Sequence, residues 1–167
     1  DNDALPDLKH LLVGGDVVSA VSCTRAYERL PGVRLINGYG PTENTTFSSW
    51  YDIPPGLPET DAIPIGLSVP NSSCFVLDES LRPVPVGSPG MLYVGGYGLA
   101  RGYAGAADLT ARSFVPNPYS DEPGARMYCT GDRAILREDG LLMYVGRVDR
   151  QVKIRGFRVE LGEVEAI

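Results

Sequence analysis

The sequence predicts an α/β segment followed by antiparallel β-structure, and three observations carry this. An apolar run at 8–15 (LKHLLVGG) ends on a glycine pair, and helix-spaced apolar residues follow at 17–30. A second apolar run at 33–37 (VRLIN) completes a strand–helix–strand unit, which at this spacing is a parallel crossover. From about residue 60, short apolar runs alternate with Pro/Gly turns, the pattern of an antiparallel sheet or small barrel.

Each element has a local reason. Val17, Val18, Val21, Ala26 and Leu30 repeat at helical spacing, and Pro31-Gly32 closes the helix. Cys74–Leu77, Met91–Val94, Ala134–Leu136 and Leu141–Val145 are the expected barrel strands. Asp78-Glu79-Ser80, Pro89-Gly90 and Glu138-Asp139-Gly140 punctuate them, and Asp139-Gly140 is a hairpin signal. Leu109–Phe114 is expected to form a helical turn. Gln151–Ile154 and Phe157–Glu160 read as two short strands around Arg155-Gly156, and Leu161–Ile167 opens like an amphipathic helix. The expected divisions are an α/β segment at 1–62, a barrel-like segment at 63–148, and a third unit beginning at 149–167.

Bulk composition narrows the function classes. The 167 residues are 43% hydrophobic, enough for a packed core. The net charge of −6 argues against a nucleic-acid binder or an anionic-membrane binder. Cys23, Cys74 and Cys129 have neither zinc nor disulfide-framework spacing, which suits a reducing cytoplasm. One histidine, His10, builds no histidine metal site. No apolar run nears the roughly 18–20 residues of a membrane span. From the acidic start Asp1-Asn2-Asp3 no signal peptide is expected.

The richest segment is Asn37-Gly38-Tyr39-Gly40-Pro41-Thr42-Glu43. Tyr39 offers a face on which a base can stack. Gly38 and Gly40 admit close approach of backbone amides to a ligand. Thr42 can donate to a phosphate oxygen, and Glu43 is a hard oxygen ligand suited to Mg²⁺. Locally, a Gly-Pro turn with a solvated acid explains the same residues. In open α/β sheets ligands bind beyond the carboxyl ends of strands, where Gly14-Gly15 and this segment both fall.

Four ordered segments together resemble the adenylation domains of nonribosomal peptide synthetases, members of the adenylate-forming (AMP-binding) enzyme family. They are NGYGPTE at 37–43, GMLYVGGYGLARGY at 90–103, YCTGDR at 128–133 and GRVDRQVKIRGFRVELGEVE at 146–165. LKHLLVGGD at 8–16 also matches a strand of that family. The resemblance implies the C-terminal part of the large N-terminal subdomain, with its α/β segment and distorted β-barrel, then the start of the small C-terminal α+β subdomain.

The resemblance also implies an activity. Such enzymes activate an acid with ATP and Mg²⁺, form an acyl-adenylate, and pass the acyl group to a phosphopantetheine thiol on a peptidyl carrier protein. Condensation domains and MbtH-like proteins are further implied partners. Asn37, Gly38 and Tyr39 would line the nucleotide site, with Tyr39 on adenine. Thr42 would touch the α-phosphate, and Glu43 would hold Mg²⁺. Asp132 would accept from the ribose hydroxyls, and Arg147 would reach the ribose or phosphates. Asp149 falls at the family's hinge. Lys153, Arg155 and Gly156 lie on the loop of the thioester-forming step. Leu12, Gly14, Gly38, Thr46 and Phe47 would line the acyl pocket, a modest apolar site fitting a branched aliphatic amino acid, valine first.

Two departures from the pattern are mild: Met91 stands where Glu is usual, and Cys129 where a basic residue is usual. Arg101 is read as structural. Residues 1–167 contain no T-S-G-T-T-G-x-P-K phosphate loop and no C-terminal lysine segment. The expectation is that the chain alone does not adenylate at a useful rate. Two other readings are a non-catalytic docking domain on the same scaffold and an acyl-CoA synthetase-like ligase.

Overall fold

The structure, a computed structural model, describes residues 7–148 in full and the backbone strands at 152–154 and 157–159. Strand β1 (His10–Gly14) pairs in parallel with β2 (Arg34–Tyr39), with His10 opposite Arg34 and Gly14 opposite Gly38. Helix α1 (Ala20–Arg29) connects them. It starts where Ser19 Oγ accepts from the Ser22 amide at 3.3 Å, an N-cap that satisfies an otherwise unpaired donor. It ends before Gly32, whose φ of +84° turns the chain back. Ala20 and Cys23 on its buried face meet Val33, Leu35, Ile53 and Ile63, while Leu11 and Val13 pack around them.

The strands are displaced from their expected bounds in an instructive way. Strand β2 runs to Tyr39 rather than stopping at Asn37, so Asn37, Gly38 and Tyr39 are sheet residues and not part of a loop. The chain then turns through a 3₁₀ turn at Thr42–Asn44 into β3 (Ser49–Ile53), which pairs antiparallel with β2. Gly40 is required in this reversal. A Cβ there would lie 2.5 Å from Thr46 O and 2.6 Å from Ser48 N, both backbone atoms. Strand β4 (Leu67–Ser68) completes a four-stranded mixed sheet in the order β1-β2-β3-β4. The first unit is therefore α/β with an antiparallel flank.

The second sheet contains β5 (Ser72–Leu77), β6 (Pro89–Gly96), β7 (Phe114–Pro116), β8 (Arg126–Leu136) and β9 (Leu142–Arg147). All its pairings are antiparallel, as expected. Strand β8 is its spine. It pairs with β6 along one edge and with both β7 and β9 along the other. The hairpin turn before β9 falls at Asp139-Gly140, with Gly140 at φ +82°. Helix α2 (Ala107–Ser113) fills the expected helical turn. Arg101 is exposed, and among the described residues it makes no ion pair; its carbonyl accepts from Arg126. Leu92, Val94 and Ala134 are fully buried between Val76, Phe114, Tyr128 and Leu142.

The two sheets are joined. Gly66 bridges Leu142 of β9, with amide–carbonyl bonds in both directions. Tyr39, on the first sheet, sits in the core of the second beside Ile65. Gly66 has φ +87°, and a Cβ there would come within 1.9 Å of Trp50 O. Strands β10 (Val152–Ile154) and β11 (Phe157–Val159) pair antiparallel, matching the two short strands expected there. Asp149, Arg155, Gly156, the Lys153 side chain and the helix expected at Leu161–Ile167 lie outside the described residues. Among the described residues no helix is long and apolar enough to cross a membrane.

Candidate nucleotide and acyl site

Three side chains expected at a nucleotide site converge where the sheets meet. Asp132 on β8 is 4% exposed. Its Oδ2 accepts from the Tyr39 hydroxyl at 2.5 Å, and its Oδ1 accepts from Arg147 Nη1 of β9 at 2.6 Å. Asp132 and Arg147 are also register partners across β8 and β9. The Asp132 amide donates to Thr130 Oγ1, which itself donates to Leu92 O at 2.7 Å. Burial, then the Asp132 charge, holds the Tyr39 phenol well above its ordinary pKa, so it remains a proton donor.

A cleft of about 330 Å³ opens beside this cluster at the carboxyl ends of β1 and β2. Gly15–Ala20, Asn37–Gly40, Glu59–Ile63, Ile65 and Tyr144 line it. The N-terminus of α1 therefore faces it, and Tyr39 is among its lining residues. Asn37 is fixed by donating from Nδ2 to Pro64 O at 2.7 Å. The lining from Glu59 to Ile63 and from Tyr144 is not foreseen by the sequence, because no local pattern marks it.

Glu43 is 6% exposed. Its Oε1 accepts from the Tyr103 hydroxyl at 2.6 Å, and Tyr103 Oη lies 3.2 Å from Tyr128 Oη. The Glu43 carbonyl accepts from the Ala100 amide, and Thr45 Oγ1 donates to Gly98 O. The segment 97–103 thus wraps the 3₁₀ turn that carries Glu43. Burial, the Tyr103 hydrogen bond and the Glu43 charge raise the Tyr128 phenol far above its ordinary pKa. Tyr103 and Tyr128 carry no role in the sequence reading, though both sit inside the quoted segments. Thr42 is exposed at the start of the turn.

The expected acyl-pocket residues are brought together in part. Gly14 and Gly38 are register partners, and the Phe47 ring lies over both. A Cβ at Gly38 would sit 2.5 Å from Phe47 Cε1, and one at Gly14 would sit 3.5 Å from it. Leu12, two residues earlier on β1, is 51% exposed. Thr46 is exposed, in the left-handed region at φ +71°.

For a magnesium ion the described residues of the site offer the Glu43 carboxylate. Among the described residues no group of three or more His, Cys, Asp or Glu side chains is placed to hold a metal, so no all-protein cage exists there. One buried carboxylate is the kind of protein ligand that Mg²⁺ takes alongside substrate phosphates and water. Glu43 supplies it.

Comparison with known proteins agrees with this architecture. The model of the AMP-binding enzyme family matches residues 1–104. Tyrocidine synthase 3 of Brevibacillus parabrevis is 49% identical over 168 residues, covering 100% of this chain and 2% of that protein. Gramicidin S synthase 2 of Brevibacillus brevis is 48% identical over 96% of this chain and 4% of its own length. The chain thus spans a few per cent of these curated relatives. Among solved structures, an NRPS protein containing adenylation and PCP domains, bound to a vinylsulfonamide inhibitor, matches with a TM-score of 0.90 at 41% identity. That match covers 99% of this chain and 29% of that one. The chain belongs to the AMP-binding enzyme family, in its nonribosomal peptide synthetase adenylation branch.

Proposed function

We propose that the chain supplies the nucleotide-binding and part of the acyl-binding machinery of an amino-acid-activating adenylation domain. The reaction joins an amino acid carboxylate to the α-phosphate of ATP with loss of pyrophosphate. The aminoacyl group then passes to a phosphopantetheine thiol on a carrier protein. The observation that carries this reading is the Tyr39–Asp132–Arg147 cluster, whose Tyr39 also lines a cleft beyond the carboxyl ends of β1 and β2.

Each residue has a chemical task in this reading. Asp132, acceptor-only when ionised, takes the ribose hydroxyls, and Arg147 holds its carboxylate. The Tyr39 ring forms a wall for the base, and Asn37 and Gly38 shape the same wall. Thr42, exposed at the head of its turn, donates to the α-phosphate. Glu43 holds Mg²⁺, with Tyr103 fixing the carboxylate. When bound, Mg²⁺ neutralises charge on the phosphates. Catalysis of this kind is chiefly positioning and electrostatic stabilisation of the reacting phosphoryl centre.

Gly14, Gly38 and Phe47, which pack together, and Leu12 and Thr46, which the resemblance adds, carry no charge to pair, which favours a valine-like side chain. Asp149 serves as the hinge of a small C-terminal subdomain, and Lys153, Arg155 and Gly156 belong to the thioester-forming pose. A carrier protein is the acceptor partner; a condensation domain and an MbtH-like protein are further partners.

Pyrophosphate exchange across the twenty amino acids tests the reading. It is run on a polypeptide containing this chain with its neighbouring sequence, and on residues 1–167 alone. Exchange by the longer form with valine or a close relative, abolished by Glu43→Ala, is expected, with residues 1–167 silent. Exchange driven by aspartate or lysine would sink the apolar-site assignment. No exchange with any acid would leave the docking-domain reading in its place.

A further inference from the structure

The Tyr39 hydroxyl is more than a consequence of burying a large ring. A phenylalanine would fill the same ring volume, and a buried hydroxyl costs free energy unless it is hydrogen-bonded. Here the hydroxyl crosses from the first sheet to the second and meets the carboxylate of a residue 93 positions away. Arg147 holds the other carboxylate oxygen from a different strand. The Asp132 backbone is itself tied through Thr130 to β6. Two donors on two oxygens fix the plane of the carboxylate. Each oxygen has two acceptor directions, so one on each remains after these bonds, a pair suited to two neighbouring hydroxyl donors.

We propose that Tyr39 acts through its hydroxyl as a positioning residue, orienting Asp132 so that the site prefers a ribose with both hydroxyls over a deoxyribose. This rests on the reading of Asp132 as the ribose acceptor. The ring and the hydroxyl then have separate jobs: the ring packs in the core beside the cleft, and the hydroxyl sets the sugar selectivity. Raised above its ordinary pKa, the phenol keeps its proton and stays a donor throughout the neutral range. A hydrogen bond to a charged group is among the stronger ones, so losing this one should be visible in sugar recognition.

The test uses the intact adenylation domain that contains this chain, with dissociation constants measured by calorimetry for ATP, 2′-deoxy-ATP and 3′-deoxy-ATP. Tyr39→Phe keeps the ring and removes the donor. The expected result is ATP binding weakened by roughly tenfold, with both deoxynucleotides within about twofold of wild type, so the ribose preference collapses. Asp132→Asn should collapse it too. If Asp132→Asn collapses the preference and Tyr39→Phe leaves it at the wild-type ratio, the positioning role is overturned while the reading of Asp132 stands. An unchanged ratio in Asp132→Asn overturns both. Should Tyr39→Phe fail to fold, 4-aminophenylalanine and 4-fluorophenylalanine incorporated in place of Tyr39 keep the ring, with and without a donor. The amino form should retain the ribose preference and the fluoro form lose it; equal ratios in the two would overturn the role.

Discussion

Replacing Asp132 by alanine should cost far more stability than a typical buried aspartate's side-chain volume suggests. The carboxylate is 4% exposed and accepts from two groups that are themselves largely buried: Tyr39, 8% exposed, and the Arg147 side chain, 12% exposed. Removing it leaves a buried hydroxyl without its acceptor, a loss of about 1–3 kcal/mol. It also removes one partner of a mostly buried guanidinium that keeps another contact, at a cost of at most about 3–5 kcal/mol. The two share one carboxylate and do not add fully, so about 4 kcal/mol is expected. Asp132→Asn keeps an oxygen for one donor and should cost about half as much. Trp50, the single tryptophan, pairs with Gly38 across β2 and β3, so its fluorescence follows the first sheet during guanidinium denaturation. A loss below about 1 kcal/mol for Asp132→Ala would refute the reasoning, because it would mean that Tyr39 and Arg147 do not depend on this carboxylate.

Other outcomes follow from the same contacts. Tyr39 and Tyr128 both have raised phenol pKa values in the folded chain, so their contribution is complete below pH of about 10 and is lost as pH rises beyond it. Denaturation midpoints above that pH should imply a stability falling by about 1.4 kcal/mol per pH unit for each phenol still protonated, and Tyr39→Phe should remove one share. Gly66→Ala should cost more than about 3 kcal/mol and shift the melting temperature sharply, since its Cβ would meet Trp50 O at 1.9 Å in a left-handed backbone. Tyr103→Phe should raise the Mg²⁺ concentration for half-maximal pyrophosphate exchange several-fold, leaving the KM for the amino acid unchanged; the opposite split would remove Tyr103 from the support of Glu43.

The elements legible in the sequence are those whose signal is local. Leu11, Val13, the α1 periodicity and Leu35 face one core, and Asp139-Gly140 carries its turn in its own chemistry. Strand β3 has no such signal, because Ser49-Trp50-Tyr51-Asp52-Ile53 mixes polar and aromatic residues. Pairing with β2 and β4 makes it a strand, and neither partner is nearby in a reading window. Strand β8 is legible only over Ala134–Leu136, because Thr130-Gly131-Asp132 looks like a turn. Gly131 does adopt φ +74°, yet the strand runs through it and bulges between Arg133 and Ala134. The candidate site divides in the same way. Motif composition points to Tyr39, Glu43, Asp132 and Arg147, whereas the Tyr39–Asp132 and Glu43–Tyr103 bonds span 93 and 60 residues. The Glu59–Ile63 wall has no signature because its place in the cleft is decided by the packing of other strands.

The distance along the chain between Tyr39 and Asp132 also dates the birth of the site. Closing a loop of that length carries an entropic cost of about 4 kcal/mol by the logarithmic law, repaid only when both sheets are formed. A nascent chain emerging from the ribosome can fold β1, α1 and β2 early, because their contacts are local in sequence. It cannot present an oriented carboxylate to a sugar until β8 and the end of β9 at Arg147 have emerged as well. Nucleotide recognition would then arrive abruptly and late in synthesis, and half-made chains would pass through a nucleotide-rich cell without engaging it.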